Sequence, residues 1–241
     1  MVRVGVSALA VTLACGLLGI PLAQARSVRG PAPISTSPTQ VVAIMSGAEA
    51  ARLVGPIAEI RAGNRADNRR VPSQAQLRAF RAHDHSMPRW YLDRITGDYR
   101  GSTSQIIAWA AIKWGLDPNL LRAVAAVESW WEMSTRGDGG HAFGLFQLDA
   151  RYHCCADLAA GDTAFDADYY GAIIRSYYDG TQSWLNTVSG NGARYGPHEL
   201  WFSLGFWDSG RWDTPIGRAY VHQVQRDLAE QIWRLPSFDG H

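Results

Sequence analysis

Apolar positions along this chain recur mostly at helical spacing, three and four residues apart. Ser102-Thr103-Ser104-Gln105 forms a capping signature before the apolar run IIAWAAIKW, and Gly115 stops that run. Asp117-Pro118 then supplies an N-cap and a proline suited to a first helical position. This predicts a helix from Asn119 to about Trp130. Further signals precede and follow it. Pro72-Ser73 opens QAQLRAF, Asp166 is read as capping ADYYGAIIRSYY up to Gly180, and Pro197 opens HELWFSLGFW up to Gly210. Thr214-Pro215 opens a long last helix whose Tyr220, Val224, Leu228 and Ile232 recur every four residues on one face. Period-two alternation is confined to residues 137–148. The pattern therefore predicts a mainly α domain with a small β-hairpin.

The same pattern divides the chain. Arg3, an uncharged apolar run from Val4 to Ile20 and the small-x-small triplet Ala23-Gln24-Ala25 read as a secretory signal over residues 1–25. That run is too short for a stable membrane span, so the mature protein is expected to be secreted or associated with a cell wall. Leu13-Ala14-Cys15 is a weaker, lipobox-like rival, because the residues after Cys15 stay apolar. Residues 26–71 read as leader and linker: a Pro/Ser/Arg-rich start, short helices between Thr39 and Arg61, and a polar stretch over 62–72. The compact domain is expected over residues 72–241.

Composition narrows the partners. With 23 basic against 22 acidic residues the formal charge is +1, and removing the leader takes away Arg3 and no acid. That balance lacks the basic stripe a nucleic-acid binder needs. Ten Trp and nine Tyr suit either a packed core or stacking on sugar rings. Past the leader only Cys154 and Cys155 remain, and adjacent cysteines build neither a conventional disulfide framework nor a zinc site. A vicinal disulfide, an interchain bond and two reduced thiols all remain open. His83-Asp84-His85 is too local to surround a metal. Asp162, Asp166 and Asp168 lack the glycine and terminal glutamate of a calcium loop, and read as caps and solvated charges. No metal and no cofactor is expected.

One carboxylate stands out. Leu121, Val124, Ala125 and Glu128 share a helix face, so Glu128 closes an apolar stripe. Burial beside Trp130 or Trp131, the negative end of the helix and a like charge on Glu132 would each raise its pKa. A general acid for glycoside cleavage needs that property. The alternative is a partly exposed glutamate at a fraying helix end. The turn after the helix carries Gly137, Gly139 and Gly140 together with Asp138, and Asp149 follows. Both aspartates are candidate second carboxylates, or else ordinary turn and cap residues. Gln147 suits a hydrogen bond to a substrate amide or to nearby backbone.

Glu128-Ser129 followed by Gly144-Leu145-Phe146-Gln147 resembles the ES…GLMQ signature of lytic transglycosylases with a lysozyme-like fold. Gly137 to Asp149, with Arg151-Tyr152-His153 after it, is similar to goose-type lysozyme. The resemblance spans roughly residues 100–235, an ordinary single-domain length. It implies an α+β lysozyme-like fold, with the small β-hairpin beside the active-site groove, and cleavage of the β-1,4 bond between N-acetylmuramic acid and N-acetylglucosamine in peptidoglycan. It implies Glu128 as general acid/base, Asp138 and Asp149 as secondary acids, and Ser129, Gly144, Leu145, Phe146 and Gln147 along the groove. Where transglycosylases carry Ala-Tyr-Asn, this chain reads Gly205-Phe206-Trp207-Asp208, so Trp207 and Asp208 take the places of the sugar-contacting Tyr and Asn. The expected activity is a transglycosylase that closes a 1,6-anhydro ring. The alternatives are a hydrolase that activates water through Asp138 or Asp149, and a non-catalytic wall-binding module.

Overall fold

A computed structural model describes residues 40–239. The signal over residues 1–25, Cys15 and the leader up to residue 39 lie outside the described residues. Ten α-helices and one three-stranded antiparallel sheet follow in order: α1 Gly47–Leu53, α2 Gln74–His83, α3 Arg89–Leu92, α4 Thr103–Trp114, α5 Pro118–Ser129, β1 Arg136–Gly137, β2 Ala142–Phe143, β3 Leu148–Asp149, α6 Ala156–Gly161, α7 Thr163–Tyr178, α8 Leu200–Ser209, α9 Pro215–Glu230 and α10 Pro236–Asp239. The described residues are thus mainly helical, with a small sheet where the alternation lay. The sheet is one strand larger than the hairpin the sequence predicts. Ala142 pairs with Gly137 on one side and Asp149 on the other. Among the described residues no helix is long and apolar enough to cross a membrane.

Helix α5 packs on α4 and α9, and α7 and α8 close the circuit, α7 lying on α4 and α8 on α7 and α9. Its start is fixed by Asp117, whose carboxylate accepts from Asn119 N at 2.7 Å and Leu120 N at 3.0 Å. Its end is sharp because Trp130 and Trp131 both adopt positive φ, 55° and 62°. Leu121, Val124 and Ala125 are fully buried, so Glu128 lies at the end of a core-facing stripe.

Residues 40–71 are part of this body, which corrects their reading as leader and linker. Ser46 and Glu49 form a capping box, and α1 lies on α4 with Trp109 Nε1 donating to Gly47 O at 2.9 Å. The polar stretch after it is stitched to the exit of α5. Arg61 Nε donates to Trp130 O at 2.9 Å, and Asn64 Nδ2 donates to Trp131 O at 2.7 Å. Asn64 Oδ1 in turn accepts from Met133 N at 3.0 Å. These side chains read as linker because they are polar. They are buried because two consecutive left-handed residues leave backbone groups that need partners.

Two other expectations change. Helix α7 is capped by Asp162, which accepts from Phe165 N at 2.9 Å, and Asp166 is buried inside its first turn. Asp168 is fully buried rather than solvated: it accepts from Lys113 Nζ at 2.6 Å, Trp114 Nε1 at 2.7 Å, Thr96 N at 2.8 Å and Gly97 N at 3.0 Å. The chain's lone lysine therefore neutralises a carboxylate whose acceptor sites are all used.

Helices α8 and α9 cross where Gly205 meets Gly217. A Cβ on Gly217 would stand 2.6 Å from the Gly205 carbonyl oxygen, and a Cβ on Gly205 would stand 3.0 Å from that of Gly217. This closeness sets Trp207 and Asp208 on α8 against Tyr220 on α9. Gly217→Ala is expected to push the helices apart at a cost of about 1–3 kcal/mol. Denaturant unfolding against the wild type measures it, and an unchanged midpoint would contradict the contact.

Candidate active site

Glu128 projects from the last turn of α5 into a polar-aromatic pocket built by three other helices. Tyr220 on α9 donates its hydroxyl to Glu128 Oε1 at 2.6 Å. Trp207 on α8 is a second hydrogen-bonding side chain, and Asp208 beside it contributes a like charge. Tyr170 on α7, fully buried, also senses the Glu128 charge. Burial is the largest influence and raises the Glu128 pKa to about 8. The charge on Asp208 adds to the rise, while hydrogen bonds from Tyr220 and Trp207 oppose it. The carboxyl consequently keeps its proton at neutral pH.

The sources of this shift differ from those the sequence pointed to. Trp130 and Trp131 pack against the C-terminal segment, on Phe238 and Trp233. Glu132 interacts with Arg61. The apolar and charged neighbours of Glu128 come instead from α7, α8 and α9. Tyr220 belonged to an apolar face of four-residue spacing in the sequence, which gave no sign of its hydroxyl's task. Its four-residue spacing with Val224 was the one available signal.

The loop after β2 wraps past this pocket and is held from both sides. Ser129 Oγ donates to Leu145 O at 2.9 Å and to Ala125 O at 3.2 Å. From the other side Asp166 Oδ2 accepts from Phe146 N at 3.2 Å, and the Leu145 backbone N–H also hydrogen-bonds to Asp166. Gly144 (φ 78°) lies so close to Asp166 that a Cβ would stand 2.8 Å from Oδ2. Phe146 stacks on Tyr170 with centroids 4.3 Å apart and an 11° interplanar angle. The side chains of Leu145 and Phe146 are wholly buried, and Ser129 is 7% exposed with its hydroxyl engaged. Their side chains therefore hold the loop in place. Gln147 (φ 53°) is partly buried and donates Nε2 to Gly144 O at 2.8 Å. Its amide braces the turn.

The two candidate second carboxylates share one cation. Arg151 Nε donates to Asp149 Oδ1 at 3.0 Å and Oδ2 at 3.1 Å, and the same guanidinium forms an ion pair with Asp138. Asp138 is exposed and Asp149 partly buried. The structure thus brings these two aspartates together, and it brings Trp207 and Asp208 to Glu128. Cys154 and Cys155 are both free thiols, with sulfurs 2.6 Å apart.

The arrangement offers one protonated carboxyl held by a phenol, an indole beside it, and a rigid glycine-bearing loop. No protein-family model, no curated protein and no solved structure matches this chain.

Proposed function

We propose that this protein is a secreted peptidoglycan lytic transglycosylase, with Glu128 as its general acid/base. The observation that carries the reading is the half-buried carboxyl of Glu128 held by the Tyr220 hydroxyl at 2.6 Å, in surroundings that raise its pKa to about 8. Cleaving a glycosidic bond requires a proton on the leaving oxygen, and an ordinary exposed glutamate has lost that proton at neutral pH. In this reading Glu128 protonates the oxygen bridging muramic acid to glucosamine. The resulting carboxylate then accepts the proton of the muramic 6-hydroxyl as that oxygen closes on the anomeric carbon. The proton returns to Glu128, the ring becomes 1,6-anhydro, and no water is consumed.

Hydrolysis is the second reading, since an inverting hydrolase needs a carboxylate about 6.5–9.5 Å away to activate water. Asp138 and Asp149 are both paired with Arg151, so neither carboxylate stands free to hold a water. A single acid/base that acts twice fits these surroundings better. Asp208 supplies an exposed acceptor for sugar hydroxyls beside Glu128.

Two outcomes are expected. Glu128→Gln lowers release of glycan fragments from purified sacculi by at least about 100-fold. Full activity in that variant would remove Glu128 from the chemistry. Mass spectrometry of wild-type products finds anhydromuramic ends, one water lighter than reducing ends, and a digest with only reducing ends would refute the transglycosylase route.

The same pKa sets the pH dependence. Activity falls as pH rises through about 8, where the acid loses its proton. Stability follows the linked sign. Between an unfolded value near 4.5 and the folded value of about 8, the unfolded chain ionises and the folded chain does not. Wild-type stability therefore declines across that window relative to Glu128→Gln. Parallel unfolding curves of the two proteins from pH 5 to 8 would contradict the burial argument.

A further inference from the structure

The sequence singles out His83-Asp84-His85 and Arg151-Tyr152-His153 without giving the first any task, and the fold joins them. Asp84, at the end of α2, is 2% exposed. It accepts from Ser86 Oγ at 2.7 Å and Ser86 N at 2.9 Å, and from the hydroxyl of Tyr169 on α7. Tyr169 Oη lies 3.3 Å from His153 Nδ1. Because the single phenolic proton points to Asp84, the Tyr169 oxygen is the acceptor and His153 must carry its proton on Nδ1. The ring is neutral, since burial pulls its pKa down to about 4 against the opposing pull of Asp84.

The neutral His153 ring lies flat against Trp207, with centroids 5.3 Å apart and planes 26° apart. Tyr170 meets Trp207 edge-on from another direction at 5.0 Å and 86°. The indole is therefore wedged between two rings, one of which is fixed by Tyr169 and Asp84. Trp207 in turn hydrogen-bonds to Glu128. We propose that Asp84, Tyr169 and His153 form a positioning relay that holds the Trp207 indole against Glu128. The relay starts on α2, passes through α7 and the loop after β3, and ends on α8. It touches neither substrate nor reacting atoms.

This inference rests on Glu128 being the acid, but it makes a claim of its own. Fixing the Nδ1–H tautomer and the ring plane of His153 orients Trp207, and Trp207 favours the charged form of Glu128. The other groups facing Glu128 are Tyr220 from α9, Asp208 from α8, and Tyr170 and Asp166 from α7. None of these is itself substituted in the relay variants.

Two variants that keep an aromatic ring test it: Tyr169→Phe, which removes the hydroxyl bridge, and His153→Phe, which keeps a ring on Trp207 without the Nδ1 donor. His153 is partly exposed, so His153→Phe remains the test if Tyr169→Phe does not fold by near-UV circular dichroism. Two readouts are taken: kcat and KM on purified sacculi, and the carboxyl titration of Glu128 by carbon NMR, assigned against Glu128→Gln. The expected result is a fall in kcat of about tenfold with KM little changed, as for a misplaced catalytic group. The Glu128 titration is expected to move to higher pH, because the Trp207 hydrogen bond is weakened. Folded variants with unchanged kcat and unchanged titration would overturn the relay. If Glu128→Gln keeps full activity, the acid assignment fails, and the titration shift alone then decides whether the relay acts on Glu128.

Discussion

The hydrogen bond from Tyr220 to Glu128 joins groups 92 residues apart, and most of the fold can be read as the means of making it. A carboxyl cannot be buried without partners, since leaving it unpaired costs several kcal/mol. A fully paired carboxylate would be equally unsuitable, because it would ionise at low pH and have no proton to give. The pocket sits between these limits. Burial and the charge of Asp208 push the proton on, while two neutral donors keep the group oriented without forcing it off. Neutral donors matter here: a lysine or arginine in place of Tyr220 would favour the anion far more strongly.

That balance depends on backbone distance as much as on side-chain chemistry. Tyr220 reaches Glu128 because α9 packs on α5, and Trp207 reaches it because α8 lies against α9 at the Gly205–Gly217 crossing. The exit from α5 is held just as tightly. Trp130 and Trp131 in left-handed conformations turn the chain immediately after the last turn of α5, and Arg61 and Asn64 satisfy the carbonyls that they expose. The Lys113–Asp168 pair anchors α4 to α7. Each of these is a polar solution to a backbone or charge problem inside an apolar body.

The helices were legible because their signals are local. Ser73, Ser102, Asp117 and Thr214 all cap the helices their positions announce, and Glu128 stood out as a carboxylate on an apolar face. What failed to show were tertiary uses of polar residues. Arg61 and Asn64 look like a linker in one dimension, and no local rule says that a neighbouring helix will leave carbonyls for them. The cap of α7 was misplaced because Asp162 and Asp166 are equally good cap residues, and only the burial of Asp166 against the backbone of 145–146 separates them. Tyr220 was hidden for a related reason. An apolar stripe cannot distinguish a tyrosine filling a core from one whose hydroxyl finds a carboxylate.

The motif GLFQ carries a last lesson about what such a signature encodes. Read as a list of groove-lining residues, it suggests side chains that touch a sugar. In the fold, Leu145 and Phe146 face inward, Gly144 has no room for a side chain, and Gln147 braces its own turn. Ser129 and Asp166 grip the Leu145 and Phe146 peptide units from opposite sides. The motif therefore fixes the course of a backbone beside Glu128, and its residue types follow from that task. Glycine is needed where Asp166 approaches. An aromatic ring is needed where Tyr170 stacks, and Tyr170 is the same ring that wedges Trp207. Loop, wedge and acid thus share a wall, so a change in the loop's packing reaches Glu128 through aromatic contacts without any change in the acid itself.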